Sequence, residues 1–333
     1  MNDQPAARVI PDGIAGGSGW WKRWEAILLA VAAAIFVFNA IASPYFLNPY
    51  NLSDATFNFT EKAMIAFAMA LLIIAGEIDL SVASIIALAS TAMGAAAAAG
   101  AGTAALILIG LAVGLAAGAV NGFIVTRFRI PSIVVTIGTM SLFRGIAFVV
   151  LGDQVYRTYP AEFAWFGQGY VWWVLSFEFV LFLALAVAFG VVLHLTVFGR
   201  HIYVIGNNPV AALFSGVHVD RIRFLLFMLT GLMSGVAAVL LTSRIGSTRP
   251  TIATGWELEV VTMVVLGGVN ILGGSGTIPG VVIAAFVMGL LTFGFGLLNV
   301  PGIVQSIFIG TLLIAVIALP IVARKIAGRW RIA

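Results

Sequence analysis

The chain has 333 residues, of which 62% are hydrophobic and 9% charged, with a formal net charge of +4 at pH 7. An ordinary soluble domain carries roughly 25% charged residues, so this chain cannot cover itself with water-compatible surface as a monomer. It has no Cys and three His, which excludes thiolate metal sites and a disulfide framework and argues against a His-rich metal centre. Its basic residues sit at the ends of apolar blocks, where membrane topology places them, and do not form a nucleic-acid-binding surface.

Residues 1–24 (MNDQPAARVIPDGIAGGSGWWKRW) are polar and Gly-rich, with a basic pair just ahead of the first apolar block. They read as a cytoplasmic tail; a cleaved signal peptide has a different order of charge, apolar core and small residues. Apolar blocks follow at 25–42, 59–75, 82–99, 104–126, 131–151, 172–195, 224–243, 258–272, 279–298 and 303–323. Many reach the roughly 20 residues needed to cross a bilayer. They are continuously apolar, whereas a transmembrane barrel would alternate. The expectation is an all-α polytopic membrane protein with about ten transmembrane helices in 25–323. Within it, 59–99 and 258–298 are interrupted by Gly and polar residues and are expected to be broken or re-entrant.

Orientation follows from Lys and Arg. With the N-terminus inside, Arg8, Lys22, Arg23, Arg127, Arg129, Arg200, Arg221, Arg223, Arg324, Lys325, Arg329 and Arg331 are cytoplasmic, against Lys62, Arg157, Arg244 and Arg249 outside. Both termini, including a short tail at 324–333, are therefore expected in the cytoplasm. Trp20, Trp21 and Trp24, and Trp172 and Trp173, fit interfacial belts.

The first interruption is IIAGEIDLSVAS, residues 73–84. A carboxylate in hydrocarbon is costly, so Glu77 and Asp79 need an account. Gly76 permits a break after the preceding span. Asp79 or Ser81 could then cap a helix beginning near Val82, a position the helix dipole also favours. Glu77 would point to water or to a basic partner. The functional alternative is a polar lining of a solute path or a contact with a cytoplasmic partner. Two carboxylates could also do acid/base chemistry, but no His, metal ligand set or nucleophile lies nearby in sequence.

Further along, Arg144 lies well inside the block 131–151. It either snorkels to the outer interface or faces a polar cavity. Asn58, Thr136, Thr139, Ser141, Arg144 and Asn299 are candidate path-lining groups, with helix-to-helix hydrogen bonding as the plainer role for the neutral ones.

The most polar internal segment is 198–223, FGRHIYVIGNNPVAALFSGVHVDRIR. It holds a short helix-like piece, with Pro209 suited to a first turn and Gly216 to its end. A short helix in such a loop usually docks on something.

The second interruption is LGGVNILGGSGTIPG, residues 266–280. It lacks the GK[ST] ending of a phosphate-binding loop. Its Gly residues instead suit close backbone packing in a tight, non-helical corner, with Asn270 and Ser275 available for hydrogen bonds. GEIDLSVAS (76–84) and GGVNILGGS (267–275) also echo one another at Gly, Asp/Asn and the final Ser. Paired interruptions of this kind point to a transport pathway; chance similarity in apolar sequence is the competing explanation. No Walker A, HExxH, GxSxG or kinase signature occurs, so the chain carries no ATPase of its own.

Four stretches in order resemble a known family, over nearly all of 25–323. IIAGEIDLSVASIIALAS is similar to a GGIDLSVGS signature, PSIVVTIGTMSLFRGIA to a TLGTxxxxRG segment, GRHIYVIGNNPVAALFSGVHVDR to a cytoplasmic GNPEAARLSGI loop, and VVLGGVNILGGSGTIPGVVIAAFVMGLL to a GGxSxxGGxG stretch. These belong to permease subunits of bacterial ABC importers for monosaccharides. Within that family, WELEVVTMVVLGGVNILGGSG looks most like rhamnose-importer permeases, with autoinducer-2 permeases close behind.

The resemblance implies a type II importer fold with ten helices per chain, in the bacterial inner membrane. It implies a second permease chain, a cytoplasmic ATP-binding cassette subunit and a periplasmic sugar-binding protein as partners. The coupling element would be Asn207, Asn208, Pro209, Ala211, Ala212 and Gly216. The signature break would be Gly76, Glu77, Asp79 and Ser81, and the second break Gly267, Gly268, Asn270, Gly273, Gly274 and Gly276. The path would include Thr139, Arg144 and Asn299. No cofactor or metal is implied. Two departures stand out: Val210 replaces a Glu common in the family loop, and Gly76-Glu77 replaces a Gly pair. Branched-chain amino-acid permeases, an intramembrane enzyme using Glu77 and Asp79, and a self-sufficient channel or carrier are the competing classes.

Overall fold

A computed structural model describes residues 24–152 and 154–330, with residues 316, 317 and 319–330 described in backbone only. The expected N-terminal tail, with Trp20, Trp21, Lys22 and Arg23, lies outside the described residues, as does Arg331. In chain order the helices are α1 (Trp24–Ala42), α2 (Pro49–Phe57), α3 (Thr60–Ile74), α4 (Val82–Ala98), α5 (Thr103–Phe128), α6 (Ser132–Leu151), α7 (Trp165–Gln168), α8 (Phe177–Leu195), α9 (Val197–Asn207), α10 (Pro209–Phe214), α11 (Val219–Ile245), α12 (Trp256–Leu266), α13 (Ile278–Leu297) and α14 (Gly302–Trp330). Between α7 and α8 lies a small antiparallel hairpin, β1 (Tyr170–Trp172) and β2 (Leu175–Ser176).

Every apolar block expected from the sequence falls on a helix, and the chain is all-helical apart from the hairpin. Length and composition of the described residues account for fewer spans than the expected ten. Six described helices are long and apolar enough to cross a membrane alone, and α2 with α3, bent by 44°, makes a seventh. Of the remaining apolar blocks, those at 82 and 258 form the shorter helices α4 and α12, with 17 and 11 residues, and the last lies on α14. Two boundaries also move. The block at 59 begins earlier, with α2, whose Asn48 side chain accepts the Tyr50 N–H and whose Pro49 sits in the first turn. The block at 172 begins later, at Phe177, because Ser176 caps α8 by accepting the Phe179 N–H and the preceding residues pair as the hairpin. Trp172 and Trp173 are exposed on it.

The core is built round α3, buried from Thr60 to Ile74 at every position but Lys62. A helix apolar on all sides belongs inside a protein, and α3 packs against α8, α11, α12 and α13. Phe59, Phe67, Phe182 and Phe286 interlock beside it, with ring centroids 5.1–6.0 Å apart.

The most extensive helix contact joins α5 to α11, and it is made of glycine. Gly110, Gly114 and Gly118 lie on one face of α5, against Gly231 and Gly235 of α11, and Gly122 continues the face against Phe224 and Phe227. A Cβ at Gly114 would come within 2.5 Å of the Gly231 carbonyl, and one at Gly235 within 2.7 Å of the Gly110 carbonyl. Small residues at i, i+4 let helix backbones touch.

With 27 residues at 1.5 Å each, α11 is roughly 40 Å long, enough to cross a bilayer. Its ends define the two ends of the bundle. At the first end lie α9, α10, the α5–α6 elbow and both interruptions. At the second lie the hairpin, the start of α3 and the loop 246–255. Several polar groups there are paired. Arg244 donates to Glu61 Oε1 (3.0 Å) and Oε2 (2.7 Å), Thr60 donates to Glu178 (3.2 Å), and Lys62 meets Glu259 at 2.5 Å.

Candidate functional site

The two interruptions end their helices in the same way. After α3, Gly76 has φ +85°. Its N–H donates to the Ile73 carbonyl (2.9 Å) and the Glu77 N–H to Leu72 (3.1 Å). After α12, Gly268 also has φ +85°, with its N–H on Val265 (2.9 Å) and the Val269 N–H on Val264 (3.3 Å). This is the Schellman pattern, and its left-handed residue is one that Gly adopts without steric cost. Two or three residues later, each chain turns on an acceptor side chain. Asp79 Oδ1 receives the Ser81 N–H at 2.8 Å, and Asn270 Oδ1 receives the Leu272 N–H at 3.1 Å. Asp79 and Asn270 are the matched positions of the sequence echo, so the echo carries the same side-chain turn twice, while the left-handed glycines Gly76 and Gly268 stand one residue out of its register.

The two breaks touch. The Gly274 N–H donates to the Ile74 carbonyl at 2.9 Å, and Gly273 packs against Gly76. The last turn of α9 sits on this junction. Gly206 has no side chain because a Cβ there would collide with the Ile74 carbonyl and lie 2.5 Å from the Gly274 nitrogen. Asn207 donates to the Gly274 carbonyl (3.2 Å) and Tyr203 to that of Gly276 (2.7 Å). Burial raises the Tyr203 hydroxyl pKa above the ordinary tyrosine value, so it is the protonated, donating form that makes this bond. Trp24 closes the other side, its indole N–H donating to the Leu266 carbonyl at 2.8 Å. Trp24 is thus bonded into the fold in addition to standing near an interface.

α10 follows α9 directly. Asn208 caps it, its side chain accepting the N–H groups of Val210 and Ala211, both at 3.1 Å, with Pro209 in the first turn. Gly216, at φ +81°, follows its end. Ala212 is buried, Ala211 is exposed, and Val210, Leu213 and Phe214 are 60%, 61% and 87% exposed. The short helix therefore shows an apolar face to its surroundings. Beside it a cleft of about 570 Å³ runs between the α5–α6 elbow and the start of α11. Its charged lining is Arg129, Arg221, Arg223, Asp220 and Glu77, with His218.

Glu77 and Asp79 have separate fates. Glu77 Oε1 lies 3.1 Å from Arg223 Nε of α11, with both side chains mostly buried. Glu77 thus has a basic partner, and it also lines the cleft beside α10. Asp79 is wholly buried, beside Ser81 and Asn121. Its expected role as a helix cap needs correction. Ser81 holds the cap position, but its backbone is already helical (φ −86°, ψ −5°) and its hydroxyl makes no capping bond. A side-chain cap needs an extended cap residue. The Ser81 hydroxyl donates to Asp79 at 2.6 Å and accepts from Asn121 Nδ2 at 2.8 Å. Asp79 builds the turn before α4 and does not cap it. Ser132 fastens the same loop, its hydroxyl accepting the Ile78 N–H at 3.2 Å.

The structure thus gathers Gly76, Glu77, Asp79, Ser81, the second Gly-rich break and residues 207–216 at one end. It does not bring Thr139, Arg144 or Asn299 there. Thr136, Thr139 and Ser141 each bond back to a carbonyl of their own helix. Asn299 holds a left-handed turn (φ +55°) between α13 and α14. Arg144 does something neither sequence reading contained. Its Nη1 donates to the carbonyls of Pro250 (2.7 Å) and Ile252 (2.8 Å), clamping the loop 246–255. Sequence reasoning missed α9 as a helix, with Tyr203 and Gly206, and missed Arg223 as the partner of Glu77. The glycines of α5, four residues apart, were readable as a packing face and went unused.

A family model described as "Branched-chain amino acid transport system / permease component" matches residues 51–317. The L-arabinose ABC transporter permease protein AraH of Azospirillum brasilense is 35% identical over 320 residues, covering 93% of this chain and 91% of its own length. The ribose import permease protein RbsC of Bacillus subtilis (strain 168) is 33% identical, covering 85% and 88%. The autoinducer 2 import system permease protein LsrD of Escherichia coli O9:H4 (strain HS) is 34% identical, covering 88% and 91%. No solved structure matches the chain.

Proposed function

The chain belongs to the permease-component family of ABC importers, and we infer that it forms the translocation path of a binding-protein-dependent monosaccharide importer. A separate cytoplasmic ATPase drives it, a periplasmic binding protein delivers the sugar, and a second permease chain completes the path. On this reading the first end of the bundle faces the cytoplasm, the side on which the positive-inside rule puts Arg127, Arg129, Arg200, Arg221 and Arg223.

The observation that carries this reading is the junction at that end. A short exposed apolar helix, α10, continues a helix that is hydrogen-bonded to the second break and packed at Gly206 against the Ile74 carbonyl beside the first. α10 is the coupling element on this reading. The ATPase grips Val210, Leu213 and Phe214, and its movement reaches the breaks through Tyr203, Gly206 and Asn207. The family loop's common Glu is Val210 here, so the grip at that point is apolar contact without a salt bridge. Asp79 and Glu77 are already engaged, by Ser81 with Asn121 and by Arg223, which argues against acid/base chemistry.

The substrate reading is a small sugar. The resemblance of 256–276 favours a rhamnose-like one, while the full-length relatives are named for L-arabinose, ribose and autoinducer 2. The test is uptake of labelled L-rhamnose, L-arabinose and ribose by the assembled importer, each with unlabelled competitors. Uptake that needs ATP and is competed by one sugar supports the reading and names the substrate. Deleting 208–216, or Gly216→Pro, should abolish uptake while leaving the chain in the membrane. Undiminished uptake by such a variant would sink the coupling assignment.

A further inference from the structure

The second end of the bundle holds a cleft of about 370 Å³ beneath the loop 246–255, within the range of roughly 300–1,000 Å³ typical of small-molecule sites. We propose that this cleft is a transient binding subsite for the ring of a neutral polyhydroxylated substrate on its way into the path. The proposal rests on the importer reading above and places one step of it.

The polar residues of the loop divide into two sets. Thr248 is spent on structure: its hydroxyl bonds Ser90 at 2.7 Å and Tyr159 at 2.5 Å. Thr254 bonds back to the Thr251 carbonyl at 2.8 Å. The hydroxyls of Ser247 and Thr251 and the guanidinium of Arg249 are different. All three line the cleft, and among the described residues none has a side-chain hydrogen bond or ion pair. Two hydroxyls that both donate and accept, beside a planar five-donor cation, match the mixed donor–acceptor edge of a vicinal diol. The Trp256 indole also lines the cleft. Its electron-rich face suits the weakly positive C–H face of a sugar ring.

The cleft is also held open in a fixed shape. Ala253 adopts φ +56°, a left-handed conformation that is strained for a residue with a Cβ. Such strain persists where the surroundings over-determine it, often at ligand sites. Here the surroundings are the Arg144 clamp on the carbonyls of Pro250 and Ile252 and the Thr248 bonds. The Lys62 ammonium, 4.9 Å from the Trp256 ring centroid, fixes the indole. A shallow, preformed site with few groups binds weakly, which suits a path that must release what it takes.

The test uses the whole importer in vesicles, with its ATPase and binding protein, and follows uptake and ATP hydrolysis together. Arg249→Gln and Thr251→Val should each lower maximal uptake about fivefold, the worth of one hydrogen bond. Trp256→Leu should lower it further and Trp256→Phe less. ATP hydrolysis stimulated by the loaded binding protein should stay within about twofold of the unaltered importer, because only movement of the ring is impaired. The loop variants keep the test open if Trp256→Leu fails to fold. Unchanged maximal uptake in Arg249→Gln and Thr251→Val overturns the subsite and leaves the importer reading intact. Unchanged maximal uptake with more binding protein needed for half-maximal rate also overturns it, since the cleft would then be a protein contact. An unaltered importer that carries no monosaccharide removes the importer reading, and the subsite with it.

Discussion

The Gly274 N–H donates to the carbonyl of Ile74 at 2.9 Å, and this one bond joins the two places where the bundle's helices break. The Ile74 carbonyl closes the last turn of α3, where an acceptor has no partner within its own helix. Gly274 supplies that partner from the second break, and Gly206 of α9 leaves room for it to do so. Three segments distant in sequence thus share one backbone contact.

Gly206→Ala should uncouple the importer. The added methyl meets the Ile74 carbonyl and the Gly274 nitrogen, and both are backbone, so neither can turn aside. Overpacking of this kind costs about 1–3 kcal/mol. Uptake is expected to fall about tenfold or more, with the chain still inserted. Vesicle uptake beside a membrane-fraction blot checks this; uptake equal to the unaltered chain would mean the junction does not transmit.

Asn208→Ala should fray α10. The side chain satisfies two of the helix's first N–H groups, and losing such a cap costs about 1 kcal/mol. Asn208→Asp and Asn208→Ser keep an acceptor and should retain most uptake. Equal loss in all three variants would point to a direct contact of Asn208 with the ATPase.

Glu77 and Arg223 should couple energetically. The pair links the first break to α11 across the floor of the cleft beside α10. Glu77→Gln, Arg223→Gln and the double variant form a cycle, read by thermal unfolding in detergent. A coupling energy of about 1 kcal/mol is expected for neighbours in contact; simple additivity would show the pair to be idle.

Gly114→Val should separate α5 from α11. The side chain would enter the space of the Gly231 carbonyl and the Gly235 backbone. The unfolding temperature should drop sharply, since the insertion costs about 3 kcal/mol or more. Gly138→Ala on α6, where nothing lies within 4 Å of the added Cβ, is the control that should leave it unchanged.

The sequence made some of this legible and left some of it hidden. Apolar block length told of helices, and Gly76 and Gly216 marked ends that the backbone does use. The Asp79–Asn270 correspondence, faint as letters, proved to be one turn built twice. What stayed hidden depends on distance in the chain. Nothing local says that Glu77 meets Arg223, that Arg144 reaches the carbonyls of a loop more than a hundred residues on, or that Gly206 faces Ile74. Asn299 and Thr139 drew attention because a polar residue in an apolar block suggests a path. A left-handed turn and a bond to one's own helix satisfy such residues equally well.

The glycine face between α5 and α11 sets how this molecule can deform. Packed side chains can slip by changing rotamers, but backbone resting on backbone has no rotamer to change. α5 and α11 must therefore travel as one rigid strut, and whatever opens or shuts during a cycle has to swing about them.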